Sequence, residues 1–267
     1  MRVGFLQTVP EFGEKEANLE RVEELLDGMS ADLIVLPELF STGYVFTEAA
    51  ELESLAEPFP GGPTADFLAE MATRHDAALV AGVLERAGSQ YFNSAVAVGP
   101  DGHLETYRKV HLFREEKRWF APGGEFKVIS LKGISVGLMI CFDWIFPESA
   151  RVLALGGAQV ICHPSNLVLP HCQRAMVTRC LENRVFAITA NRAGEESRGG
   201  NRMVFTGGSQ VTSPHGEVLL RGPETGEKLE IVEIDPRMAL DKRITPENDL
   251  LQDRYPGCYK MLTSVSH

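Results

Sequence analysis

The sequence predicts a layered α/β fold in which two mixed sheets lie face to face with helices outside. Three observations support it. Strand-like apolar runs alternate with segments of helical period, a central group of runs is joined by hairpin turn residues, and no Ser-, Gly- or Pro-rich linker separates two folding units. Residues 3–9 alternate as a strand, and residues 14–29 then carry Val22, Leu25, Leu26 and Met29 at helical offsets. The β-branched run 32–36 suits a strand buried on both faces. Pro63 fits a first helical turn and opens a helix over 64–75, with Phe67, Leu68, Met71 and Ala72 turned inward. Strands follow at 78–84, 93–98 and 103–107, the last two joined by the turn sequence Pro100-Asp101-Gly102. A strand over 134–140, a helix over 147–155, a strand over 159–162, a helix over 174–184 and a strand over 185–190 restore the alternation. Strands at 207–213, 218–221 and 229–234 close the pattern, with Pro214-His215-Gly216 as a turn. No repeat of fixed short period occurs. One domain over 1–267 is expected, its tail from about residue 245 lacking helical period and running extended across a neighbour or a partner subunit.

Of 267 residues, 44% are hydrophobic and 24% charged, a balance that builds a core rather than a disordered chain. The net charge of −11 opposes polyanions, which excludes nucleic acid and anionic membrane surfaces as expected partners. The longest apolar stretch, 134–142, is broken by Ser135 and Gly137 and reaches half the ~20 residues that span a bilayer. The N-terminus has neither the charged region nor the cleavage site of a secretory signal. Five cysteines, odd in number and never spaced C-x-x-C, fit reduced thiols in a cytoplasmic protein.

In open α/β sheets, reactive groups collect beyond the carboxyl ends of strands, where loops leave the packed layer. DLIVLP delivers Glu38, HLETYR delivers Lys109 and ISVGLMI delivers Cys141. Singly, each has an ordinary explanation: a loop cap, a solvated hairpin end, a small buried hydrophobe. Together they are complementary, because a thiol with an ordinary pKa of about 8.5 needs a base to take its proton or a cation to stabilise the thiolate. CFDWIFPES sets Cys141 on a tight strand-to-helix passage before Pro147, which predicts an exposed nucleophile and turns the Phe142 N–H toward a developing oxyanion. The charged segment HLFREEKRW after Lys109 is too long for a hairpin turn and reads as a pocket wall.

LPELF around Glu38, YRKVHLF around Lys109, Glu116 seven residues on, and ICFDWIFPESAR around Cys141 resemble the nitrilase superfamily of carbon–nitrogen hydrolases. The resemblance spans nearly the whole chain, with its motifs in order. It implies a four-layer α-β-β-α sandwich and a Glu38–Lys109–Cys141 triad that uses no cofactor and no metal. It also implies a homodimer or higher homo-oligomer joined through outer helices. A second glutamate that supports the lysine or positions water is implied too; Glu116 falls at its place, with Glu115 alongside as the alternative.

The expected activity is cleavage of a small carboxamide to acid and ammonia through a cysteine thioester. A nitrilase and an N-carbamoyl amide hydrolase share the triad, and a binding scaffold on the same fold is the non-enzymatic alternative. Phe40, Tyr44, Trp119, Trp144, the Phe142 side chain and Asn166 are candidates for the pocket and suit a small, partly apolar acyl group, although core packing is the ordinary role of any one aromatic. No arginine cluster announces a carboxylate-bearing substrate, although Arg174 and Arg192 can approach. Cys162-His163, His171-Cys172 and Cys180 lack the spacing of a zinc module, and Cys172, Ala175, Met176 and Cys180 fall at helical offsets as a packing face. A protease-like pairing of Cys141 with His111 or His163 finds no Asn or Asp in the sequence to orient it. The glycine pairs do not form a phosphate-cradling pattern.

Overall fold

The computed structural model describes residues 1–264. The first half runs β1 (Arg2–Gln7), α1 (Lys15–Leu26), β2 (Leu33–Val35), α2 (Ala49–Leu55), α3 (Pro63–Arg74), β3 (Ala78–Ala87), β4 (Gln90–Val98) and β5 (Leu104–Arg108). A short helix, α4 (Glu116–Trp119), leads to β6 (Lys127–Leu131), β7 (Ile134–Leu138), a 3-10 turn at Cys141–Ile145, α5 (Pro147–Leu155), β8 (Val160–Ser165), α6 (Cys172–Asn183) and β9 (Phe186–Asn191). After these come β10 (Glu195–Arg198), β11 (Asn201–Val204), β12 (Gln210–Thr212), β13 (Val218–Arg221) and β14 (Lys228–Glu233).

The strands form two six-stranded sheets, ordered β14-β1-β2-β3-β4-β5 and β6-β7-β8-β9-β12-β13. Read in those orders, both sheets pair antiparallel, parallel, parallel, antiparallel, antiparallel. One architecture therefore occurs twice without a sequence repeat to announce it. Side-chain alternation assigns the layers. Val3, Phe5, Leu33, Val35, Ala78 and Val80 face the second sheet in the central core, whereas Leu6, Ile34, Leu36, Leu79 and Ala81 pack with Val22, Leu26, Leu68 and Met71 of α1 and α3. On the second sheet, Leu153 of α5 and Cys172, Met176 and Cys180 of α6 join the central cluster. The result is the α-β-β-α sandwich.

Several elements escape the sequence reading because they lack a periodic apolar signal. α2 buries only Leu52, β6 is an edge strand, and the β10–β11 hairpin is polar and mostly exposed. The tail is not simply extended: it folds into β15 (Arg243–Thr245), β16 (Asn248–Asp249) and a 3-10 segment at Pro256–Leu262, and the last part of the predicted tail, 265–267, lies outside the described residues. Among the described residues, no helix is long and apolar enough to cross a membrane.

The sheets present the candidate residues at strand ends: Glu38 follows β2, Lys109 follows β5, Cys141 follows β7 and Asn166 follows β8. The turn carrying Glu38 is gripped by the backbone of β3, since the Gly82 N–H donates to the Pro37 carbonyl at 3.0 Å and the Phe40 N–H donates to the Gly82 carbonyl at 3.1 Å. A Cβ at Gly82 would lie 2.3 Å from the Glu38 Cα, so only glycine permits this approach. Gly82→Ala is expected to cost about 1–3 kcal/mol by overpacking and to lower turnover by displacing Glu38, checked by urea unfolding alongside ammonia release; wild-type values in both would refute the constraint.

Candidate active site

Lys109 is fixed first by its backbone: its N–H donates to the Asn93 carbonyl and its carbonyl accepts from Gly123. Its side chain points inward, fully buried, and the ammonium bridges two carboxylates, at 2.6 Å from Glu38 Oε1 and 2.8 Å from Glu116 Oε1. Of the adjacent glutamates, Glu116 makes this contact while Glu115 is exposed. Glu116 Oε1 also accepts from the Tyr44 hydroxyl at 2.6 Å, and its Oε2 accepts from the Phe113 N–H at 3.0 Å. Glu38 Oε1 accepts a second bond from Asn93 Nδ2 at 2.6 Å, whereas Glu38 Oε2 is buried and has no hydrogen-bond partner among the described residues.

Two carboxylates and one ammonium leave this cluster one unit negative when all three are ionised. Burial acts to lower the Lys109 pKa, but the charges of Glu116 and Glu38 reverse this and hold the group above its ordinary value, so it stays an ammonium. Burial pushes the Glu116 carboxyl up against the opposing pull of Lys109. The Tyr44 phenol is pushed up by burial and then by the charge of Glu116, so it remains a donor.

Cys141 sits at the start of the 3-10 turn with φ +38, a left-handed conformation that costs a non-glycine residue about 1–3 kcal/mol. Contrary to the sequence expectation of an exposed nucleophile, it is 5% exposed, because a tight turn does not open to solvent when neighbouring elements cover it. Burial and then the charge of Glu38 push its thiol well up, and the opposing pull of Lys109 and a backbone hydrogen bond from Asn166 does not offset them. The resting group is a neutral thiol. The Phe142 N–H falls in the first turn of the 3-10 helix, where an N–H has no partner within the helix.

Two groups not singled out for this role by the sequence hold the strained turn. The fully buried Asp143 accepts from the Ile140 N–H at 2.8 Å, the Tyr107 hydroxyl at 2.7 Å and the His111 N–H at 3.1 Å, so one carboxylate ties the cysteine turn to the lysine segment. His111 Nδ1 lies 2.9 Å from the same carboxylate. An aspartate therefore does orient His111, which corrects the sequence reading. His163 faces the Cys141 carbonyl through Nε2 at 2.9 Å, and burial lowers its pKa to about 4, so a neutral ring donates to the backbone.

A narrow cavity of about 70 Å³ adjoins the cluster on the Tyr44–Glu116 side, far below the ~300–1,000 Å³ of sites for drug-sized ligands. Its walls include Tyr44, Phe46, Trp119 and Met203, with Arg114 and Arg202 among the polar lining residues. Tyr44 and Trp119 are thus brought to the cavity. Trp144 and Phe40 are not; both belong to buried apolar clusters. The Phe142 ring packs against Phe113 and Phe146. Asn166 is buried and donates through Nδ2 to the Glu38 carbonyl at 2.9 Å, leaving its Oδ1 without a partner among the described residues. Arg192 is consumed by a buried ion pair with Glu196, and Arg174 is exposed on α6. Cys172 and Cys180 pack with Met176 as the sequence indicated. Asp143→Asn is expected to cost about 1–3 kcal/mol by leaving buried donors unsatisfied and to slow turnover up to about 10²-fold by releasing the turn. Denaturant unfolding and single-turnover rates check it, and an unchanged rate would remove Asp143 from the site's support.

Residues 2–243 match the carbon–nitrogen hydrolase family. The chain is 46% identical to a nitrilase from Pyrococcus abyssi, with 97% of this chain and 99% of that protein covered. It is 34% identical to an (R)-stereoselective amidase from Pseudomonas sp., covering 95% and 91% respectively. Its fold superposes with a TM-score of 0.81 on a glutamate-to-glutamine mutant of the amidase from Nesterenkonia sp. AN1 that carries acrylamide added to its active-site cysteine, at 26% identity over 98% of this chain and 99% of that one. By the matched family and by the two-sheet sandwich, the chain belongs to the carbon–nitrogen hydrolases of the nitrilase superfamily.

Proposed function

We propose that the protein hydrolyses a small carboxamide to an acid and ammonia through a thioester on Cys141. The observation that carries this reading is the unpartnered Glu38 Oε2, a buried acceptor beside a thiol that burial, and then the charge of Glu38, push up. A thiolate formed in advance would place another negative charge beside the Glu38 and Glu116 carboxylates. The proton therefore leaves as the sulfur–carbon bond forms, and Glu38 is the base with a free oxygen to receive it.

Attack moves the carbonyl electrons onto oxygen, where the Lys109 ammonium and the Phe142 N–H stabilise the oxyanion. Collapse breaks the carbon–nitrogen bond as Glu38 returns its proton to the departing nitrogen, releasing ammonia and leaving the thioester. Water then attacks that ester while Glu38 takes its proton. Breakdown expels the Cys141 sulfur, the proton returns to it, and the acid leaves. Glu116 holds Lys109 in place throughout.

The unpartnered oxygens of Glu38 and Asn166 favour an amide, whose –NH2 offers two donors, over a nitrile, whose nitrogen offers none. A nitrile is the second reading, favoured by the 46% identity to a protein named a nitrilase. Tyr44, Phe46 and Trp119, in the cavity wall beside Glu116, suit a partly apolar acyl group for either. We extend the proposal to a reducing, cytoplasmic setting, which suits five free cysteines, and to a homo-oligomer, since Val152 and Leu155 of α5 and Leu181 of α6 are exposed on the outer helices.

Cys141→Ala is expected to fold and lose all turnover, and Glu38→Gln to lose about 10²–10⁴-fold. Intact-mass analysis across an amide, a nitrile and an N-carbamoyl panel is expected to show an acyl adduct on Cys141 with the amide, intercepted by hydroxylamine; turnover by Cys141→Ala would end the thiol mechanism, and adducts with the nitrile alone would replace the amide reading. Sedimentation is expected to give a dimer or larger, and a monomer at high concentration would refute self-association.

A further inference from the structure

We propose that Glu196 is a positioning residue for the catalytic cluster, holding Tyr44 so that its hydroxyl reaches Glu116. The proposal rests on the reaction assigned above. Glu196 lies on β10, whose neighbour β11 supplies Asn201, Arg202 and Met203 to the cavity wall; Glu196 and Met203 are cross-strand partners. Its carboxylate is buried and points away from the hairpin into the segment after Glu38. There Oε2 accepts from the Val45 N–H at 2.7 Å and the Tyr44 N–H at 3.1 Å, while Oε1 lies 3.0 Å from the same Tyr44 N–H and 2.5 Å from Arg192 Nη1.

The approach is built for this contact. Gly43 has φ +82, and a Cβ there would lie 2.8 Å from Glu196 Oε1, so glycine is needed for the carboxylate to reach two consecutive N–H groups. Arg192 completes the grip, donating to the Pro10 carbonyl at 2.8 Å and lying 4.2 Å from the Phe205 ring centroid. From the held backbone, the Tyr44 hydroxyl donates to Glu116 Oε1, the same oxygen that Lys109 contacts. A continuous set of bonds thus runs from the cavity-wall hairpin through Glu196, Tyr44 and Glu116 to Lys109 and Glu38.

The chemical consequence follows from which form of Glu116 the bond favours. Glu116 must be ionised to anchor Lys109, and donation from Tyr44 favours the ionised form against burial. Losing that bond raises the Glu116 pKa further, so activity falls at a higher pH on the acid side. A role confined to bracing the hairpin would lower stability and leave this limb where it is.

The test follows alkylation of Cys141 by iodoacetamide and amide turnover against pH, in the wild type, Glu196→Gln, Tyr44→Phe and the double variant. Glu196→Gln is expected to lower kcat by up to about 10²-fold with a smaller change in KM, and to move the acid limb of both profiles upward, as Tyr44→Phe does. The double variant is expected to be no worse than the more damaged single one, because both remove one linkage. Losses that multiply in the double variant, or an acid limb unmoved in Glu196→Gln, would overturn the proposal. Should Glu196→Gln not fold, Glu196→Asp keeps the charge beside Arg192 but withdraws it from the two N–H groups, and the same readouts apply. Alkylation needs no substrate, so a wild type that labels with the expected limb yet turns over no amide sinks the assigned reaction and not the positioning role.

Discussion

A lysine ammonium enclosed between two buried carboxylates is the interaction on which the site depends. Charges taken out of water are tolerated only when paired and hydrogen-bonded, and removing one partner leaves the others uncompensated. Lys109 satisfies one oxygen of Glu38 and one of Glu116, and Asn93, Tyr44 and Phe113 supply the remaining donors. Of the four carboxylate oxygens, Glu38 Oε2 is the one without a partner among the described residues, and it is the proposed acceptor of the thiol proton. Burial, and then the charge of Glu38, push the nearby Cys141 thiol up, so in the proposed reaction its proton leaves only as the substrate is attacked.

The fold makes that cluster possible by repeating one arrangement of strands. Glu38 and Asn166 follow the corresponding strands β2 and β8, and Asn166 binds the backbone of Glu38 across the interface between the sheets. Backbone strain occurs at the exits of β2 and β7, where Leu39 and Cys141 both have positive φ. Each exit is restrained from a neighbouring element: the Glu38 turn by Gly82 of β3, the cysteine turn by His163 of β8 and by Asp143. Such strain persists only where surrounding contacts over-determine it.

Strand ends are legible in the sequence because apolar runs stop abruptly at them, which is why Glu38, Lys109 and Cys141 stand out. The sandwich was legible for the same reason. What was not legible depends on contacts distant in sequence. Asp143 stood inside a motif without a visible partner, yet its donors come from both the cysteine turn and the segment after Lys109. Glu196 lies in a short polar hairpin with no apolar period, and its partner backbone is about 150 residues away. Trp144, within the cysteine turn itself, belongs to the core, because neighbourhood in sequence does not decide which way a side chain faces. The burial of Cys141 is not legible from its motif, because it is set by elements that pack from elsewhere.

The central claim is that Cys141 rests as a neutral thiol and yields its proton to Glu38 only during attack. Ultraviolet thiolate absorption, measured as the difference between the wild type and Cys141→Ala across neutral pH, tests it most directly. The account predicts no Cys141-dependent thiolate signal in the resting protein at neutral pH. A full thiolate signal there, lost in Cys141→Ala, would contradict it and replace general-base attack with a preformed thiolate–lysine pair.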